Sequence, residues 1–290
     1  MSIAIRKMKT PVSAVILTLN EERNLPKALR SVRRWVDDIV VVDMHSDDRT
    51  VETAESFGAR VFQHPRMGLQ DPARAFAMEQ ASGEWIINLD ADEIAPFALS
   101  RRLLEVAEGN LADVCSIPRL NYFSGAPLRH AGWSADEDRQ VRFFRKGCLE
   151  FSPRIHARPQ PVKTARVLQL RADSGECLIH FNFPAAEYFL QRFNRYTSIE
   201  AAEARADGRR ASLSGFVVAP LREFVTRYFL KQGFRDGWRG FYYSAMMGAY
   251  RMTIAAKLRE LEDGCDGAGS LKRYDEIAEQ YLSEYERDAH

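Results

Sequence analysis

The chain is poor in cysteine, and the few it has are scattered: Cys115, Cys148, Cys177 and Cys265 form no C-x-x-C pair. That spacing fits neither a zinc ribbon nor a disulfide framework and points to a reducing compartment. No apolar run approaches the roughly 18 residues that a membrane-spanning helix needs. The N-terminal stretch to Pro11 is basic but lacks an apolar h-region, so neither a secretory leader nor a membrane span is expected. A large excess of one charge is missing too. Lys+Arg 41 against Asp+Glu 40 leaves a formal charge of +1, which argues against wholesale nucleic-acid binding. What is present is apolar material: 290 residues, 46% hydrophobic and 28% charged, suffice for one large core or a core with a smaller appendage, and disorder is not expected.

Strand and helix patterns alternate along the first part of the chain. Val12 to Leu19 is rich in β-formers, and Asn24 to Trp35 reads as a helix with Pro26 near its start. Asp38 to Asp43 is a buried strand. A helix follows from Thr50 to Phe57, with Asp48 as expected N-cap and Gly58 as its stop. Arg60 to Gln63 returns as a strand. A loop containing Pro65, Gly68 and Pro72 leads to a helix from Ala73 to Ser82, and an apolar strand from Glu84 then reaches Asp90. This order predicts an α/β fold with a mostly parallel sheet and helices on both faces.

Ligands of such sheets bind beyond the carboxyl ends of the strands. Three ends converge there: Thr18-Leu-Asn20-Glu21, Asp43, and Asp90-Ala-Asp92. Asp90 and Asp92 lie one residue apart on an extended segment and share a side, so they suit a hard divalent cation that also holds a diphosphate. The plainer reading of an isolated Asp-x-Asp is a solvated strand-end turn.

The segments Val15 to Asn24, Ile39 to Thr50, Gly58 to Val61 and Leu89 to Glu93 resemble glycosyltransferase family 2. Their order and spacing are similar to the inverting GT-A enzymes of the lipopolysaccharide-core β-1,4-glucosyltransferase-like branch. Arg119 to Phe123, His130 to Trp133, Asp138 to Arg145, Leu178 to Phe181 and Arg192 to Tyr196 extend the resemblance, which covers roughly residues 12 to 260.

This resemblance implies a GT-A (Rossmann-like) domain over residues 1–183 and a helical region over 184–290. Thr18, Asn20, Glu21 and Asp43 would line a nucleoside pocket. Asp92 would ligate Mg²⁺ or Mn²⁺, with Asp90 contacting the ribose or, through water, the metal. Arg74 stands where the family carries a basic residue followed by Asn; here Ala75 follows, so that hydrogen bond is missing. For the base that an inverting transfer requires, the family pattern selects Asp138 and leaves Asp136 open. Arg142 would reach the diphosphate. His180 resembles a residue that approaches metal or phosphate, although a core histidine is the plainer reading; His130 and His156 are weaker candidates.

From Pro184 onward the patterns are helical: Ala185 to Ala206, Leu213 to Gln232, Phe234 to Leu261, then a polar tail. Between Phe216 and Arg259, the basic residues Arg222, Arg227, Lys231, Arg235, Arg239, Arg251, Lys257 and Arg259 face only Glu223 and Asp236 in number. Interleaved aromatics such as Phe229 and Trp238 suit an anionic membrane surface, where rings sit in the interface and basic groups at the headgroups. Packing with a solvated basic face is the alternative. Nucleic acid is disfavoured because the apolar content exceeds what phosphate tracking needs.

The expected function is transfer of a hexose from a nucleotide-diphosphate sugar, a UDP-hexose, to a lipid-linked or lipopolysaccharide-core-like acceptor at the cytoplasmic face of the inner membrane. Two other classes are weighed. A haloacid-dehalogenase-type phosphatase would use the first Asp of Asp90-x-Asp92 as nucleophile, but Glu93 departs from its pattern. A non-catalytic membrane-surface scaffold is the third.

Overall fold

A computed structural model describes residues 10–66, 71–150 and 159–288. Gly68, His156 and the basic residues before Thr10 lie outside that range.

The first compact unit comprises the chain up to Arg129 together with Trp133–Asn182. It alternates β1 (Val12–Thr18), α1 (Leu25–Val32), β2 (Asp38–Asp43), α2 (Thr50–Ser56), β3 (Arg60–Gln63), α3 (Asp71–Glu79) and β4 (Trp85–Asp90). There follow β5 (Glu93–Ile94), α4 (Phe97–Glu108), β6 (Val114–Phe123), β7 (Ala126–Pro127), β8 (Arg139–Arg145), β9 (Leu149–Glu150), β10 (Gln160–Pro161), β11 (Val167–Gln169) and β12 (Leu178–Phe183).

The main sheet runs β3-β2-β1-β4-β8-β6-β12-β5. All seven residues of β1 are buried, as expected of a strand covered on both faces. Its side chains divide by strand period: Val12, Ala14 and Ile16 pack with Leu25, Leu29, Leu99 and Leu103 of α1 and α4, whereas Val15 and Leu17 pack with Ala73, Ala77 and Met78 of α3. Helices therefore cover both faces. Gly83 is needed where the chain turns into β4, because a Cβ there would lie 2.7 Å from the Ser13 backbone nitrogen.

The sheet is parallel from β3 to β4 and mixed beyond it. β8 pairs antiparallel with both β4 and β6. The cause lies in the connections. A parallel neighbour needs a crossover, and no helix separates β6 from β8, so the returning strand runs antiparallel. Asp48 accepts the Thr50 backbone N–H at 3.0 Å, although Arg49 occupies the N-cap position of α2. α1 stops at Val32, short of Trp35.

The second unit contains His130–Gly132 and the chain from Phe183 onward. Its helices are α5 (Ala186–Ala206), α6 (Leu213–Phe216), α7 (Val218–Val225), α8 (Gly237–Asp263) and α9 (Gly267–Asp288). The single helix expected from Leu213 to Gln232 is broken at Val217. Pro220 has no N–H for the Phe216 carbonyl, so the helical ladder cannot run through. A π-turn over Thr226–Leu230 then closes with the Lys231 N–H on the Thr226 carbonyl at 2.8 Å. The expected polar tail is instead α9, because Leu271, Tyr274, Ile277 and Tyr281 recur at helical spacing within a charged segment. Among the described residues, no helix is long and apolar enough to cross a membrane.

Candidate active site

Strand register brings the three predicted strand ends to one edge: Thr18 pairs with Asp43 across β1 and β2, and Leu17 with Asp90 across β1 and β4. At the β1–β2 corner Asp43 is fully buried and accepts from Thr18 Oγ1 at 3.0 Å, from the Ser46 N–H at 2.8 Å and from Ser46 Oγ at 2.6 Å. Asn20 takes a left-handed conformation, φ 58°, that an Asn tolerates. Its N–H donates to Ser46 Oγ, while its Oδ1 accepts the Asp47 N–H. These two side chains hold the 44–48 loop in place. Glu21 starts α1, its carboxylate accepting from Asn24 Nδ2 at 2.9 Å and its carbonyl from the Asn24 and Leu25 N–H groups.

At the end of β4 the charges are denser. Asp90 accepts from Arg74 at 2.8 Å and is ion-paired with Arg142. Burial opposes its ionisation, but the Arg142 and Arg74 charges outweigh that cost and hold its carboxyl well below the usual carboxylate range. Glu93 has no solvent exposure. It accepts from Arg119 at 2.9 Å and from Arg142 at 3.0 Å, and its second oxygen takes the Asp90 N–H. Arg119 then turns its other face to Asp138, 2.8 Å from Nε to Oδ2. Asp138 also accepts from Asn121 Nδ2 and Gln140 Nε2, both at 2.7 Å. Burial pushes the Asp138 carboxyl up, and Arg119 with these donors pulls it down further, leaving it below its ordinary value.

Asn121 continues the chain of contacts. Its Oδ1 lies 2.7 Å from His180 Nδ1, while His180 Nε2 sits 3.3 Å from Asp92 Oδ2. Asn121 Nδ2 already donates to Asp138, so its Oδ1 is the acceptor and His180 Nδ1 carries the proton. Nε2, the other ring nitrogen, then faces Asp92. The network thus runs unbroken from Arg74 through Asp90, Arg142, Glu93, Arg119, Asp138, Asn121 and His180 to Asp92.

Among the described residues no group of three or more His, Cys, Asp or Glu side chains is arranged to hold a metal ion. Asp92 offers one carboxylate, which is within what Mg²⁺ or Mn²⁺ takes from protein when a phosphate substrate supplies further oxygens, and His180 Nε2 lies 3.3 Å from it. Asp90 is paired with Arg74 and Arg142. Nearby, Arg142 Nε is buried without a hydrogen-bond partner, a donor suited to an incoming anion. Asp136 stands apart: its side chain is 74% exposed and pairs with Arg139 at 3.2 Å. Sequence reasoning did not select Glu93, Arg119 or Asn121. Arg119 and Asn121 alternate on β6, and that period of two was the available signal for a shared face.

The model of glycosyl transferase family 2 matches residues 13–160. A lipopolysaccharide core biosynthesis glycosyltransferase, LpsC, of Rhizobium meliloti is 30% identical over 86% of this chain and 92% of its own length. An uncharacterized glycosyltransferase of Rickettsia bellii is 27% identical over 89% of each chain. Among solved structures, glucosyl-3-phosphoglycerate synthase of Mycobacterium tuberculosis, held with Mn²⁺, uridine diphosphate and glucosyl-3-phosphoglycerate, aligns over 39% of this chain and 45% of that one, with 22% identity and a TM-score of 0.34.

Proposed function

Because the chain belongs to glycosyltransferase family 2, we propose that it moves a hexose with inversion from a UDP-sugar to a lipid-linked or lipopolysaccharide-core-like acceptor. The observation that carries this reading is the ordered rim at the ends of β1, β2 and β4, where His180 Nε2 faces Asp92 beside Arg142 and Arg74. Thr18, Asn20 and Asp43 shape the nucleoside side of the rim through the 44–48 loop. Asp92 and His180 would hold Mg²⁺ or Mn²⁺, which when bound neutralises charge on the departing diphosphate. Arg142 and Arg74 would orient the diphosphate through their N–H groups. Asp138 stands ionised to take the proton of the attacking hydroxyl. Asp136, solvated and paired with Arg139, receives no role.

The phosphatase reading loses its support, since the chain matches glycosyltransferase family 2. The lipopolysaccharide core enzyme among the relatives supports the acceptor class. Exposed Leu221, Phe229, Leu230 and Trp238, interleaved with Arg222 and Arg235, support attachment of the second unit to the cytoplasmic face of an anionic inner membrane.

Equilibrium binding of UDP with and without Mn²⁺ tests the nucleotide site. Mn²⁺ is expected to tighten binding by about tenfold, roughly 1.4 kcal/mol, and Asp92→Ala to abolish that gain while leaving metal-free binding in place. Metal-independent UDP binding in the unaltered protein would refute the assignment. A transfer assay over UDP-hexoses separates an enzyme from a scaffold.

A further inference from the structure

A cavity of about 600 Å³ opens on the first unit between α1, α2 and β5, lined by Lys27, Arg30, Ser31, Arg33, Arg34, Phe57 and Ile94. Four of these seven residues are cationic and none is acidic. Among the described residues no carboxylate pairs with any of the four. Arg33 lies 5.6 Å over the Phe57 ring, while Lys27 reaches only the Arg23 carbonyl and Asn24 Oδ1.

This arrangement works against α1. Lys27 and Arg30, Arg30 and Arg33, and Arg30 and Arg34 are like charges three or four residues apart, a spacing at which they repel. A helix needing only solubility would intersperse acids, and α1 carries none from Leu25 to Val32. The helix dipole favours cations near its C-terminus and so accounts in part for Arg30, Arg33 and Arg34. It does not account for Lys27 in the first turn, nor for a cavity gathering all four around an aromatic floor.

The cavity also borders the catalytic rim. Ile94 follows Glu93 on β5 and, by strand alternation, points to the opposite side. The next N–H, of Ala95, donates to Ser31 Oγ of α1 at 3.2 Å. One short segment therefore presents Asp92 and Glu93 to the rim and Ile94 to the basic cavity.

We propose that this cavity is a second anion site, separate from the nucleotide site, that takes a sugar or headgroup bearing phosphate or carboxylate groups. Lys27 and Arg30 stand on α1 and Arg33 and Arg34 follow its end, so the cations surround a ligand whose body rests against Phe57 and Ile94. Guanidinium forks favour phosphate and carboxylate over halide because they bind two oxygens at once. The same chemistry is presented by a soluble phosphorylated glycan and by an anionic lipid headgroup.

The test uses the full chain and two probes: glucose 1,6-bisphosphate in solution, and phosphatidylglycerol vesicles against phosphatidylcholine vesicles. Arg30→Gln/Arg34→Gln is compared with the unaltered protein and with Arg101→Gln, an exposed arginine of α4. Binding of at least one probe is expected to weaken tenfold or more in the double variant, with UDP binding in Mn²⁺ unchanged. Loss confined to the bisphosphate identifies a soluble glycan, and loss confined to phosphatidylglycerol identifies a headgroup; both support the site. Unaltered binding of both probes would overturn it, as would an equal loss in Arg101→Gln.

Discussion

Asp138→Asn is expected to lower kcat about 100-fold while leaving UDP binding in place. Proton abstraction by a positioned carboxylate contributes roughly 10²–10⁴-fold. The lower end applies here because Arg119, Asn121 and Gln140 hold this carboxyl below its ordinary value and so weaken it as a proton acceptor. Burial alone would raise it; the charge of Arg119 wins. The sign then sets the pH profile. A base with a depressed pKa is ionised throughout the neutral range, so activity falls only as the pH drops through that lowered value, below the ordinary Asp value of about 3.9. Stability follows the same direction: this ionised carboxylate stabilises the fold above its unfolded pKa and the gain is lost in acid. Initial rates of transfer across pH, measured on both proteins at saturating donor, check these points. An Asn variant that keeps a tenth or more of the rate would remove Asp138 from the mechanism.

Glu93→Gln is expected to cost about 3–5 kcal/mol of stability, the usual penalty for breaking a buried ion pair from one side. Glu93 uses both carboxylate oxygens as acceptors, one for Arg119 and Arg142 and the other for the Asp90 N–H. An amide has only one acceptor oxygen, so its NH₂ must face a donor whichever way it turns. At about 2–4 °C per kcal/mol for a unit of this size, the melting temperature should fall by roughly 10 °C. Differential scanning calorimetry decides it, and a shift of less than about 2 °C would mean that the arginines find other partners.

The first four strands and their helices were legible in the sequence because each carries its own period and its own stop. Buried runs such as Val12 to Thr18 and Trp85 to Leu89 leave little choice but strand, and Gly58 ends α2 with φ 77°. The same runs placed Asp43 and Asp90 at strand ends. What local pattern does not carry is the direction of β8, which depends on how residues 124 to 138 return, and the break at Val217, which one proline decides. α9 escaped because its charges mask a stripe only one residue wide. The network through Glu93, Arg119 and Asn121 joins β5, β6 and β12, and contacts between strands so distant in sequence leave no spacing to read beyond the alternation of Arg119 and Asn121 on β6. The hold of Asp43 on the 44–48 loop is visible only once Ser46 is seen folding back onto it.

The seat of β12 against β5, with His180 opposite Glu93, has a consequence for biosynthesis. Strands β1 to β4 leave the ribosome early and pair with near neighbours, whereas His180 emerges only after most of the first unit has been made. Domains consolidate as units during translation, with local contacts forming ahead of distant ones. A nascent chain therefore displays the strand ends that carry Asp43 and Asp90 before it owns the imidazole that faces Asp92, and the side-chain network closes only with the last strand of the unit.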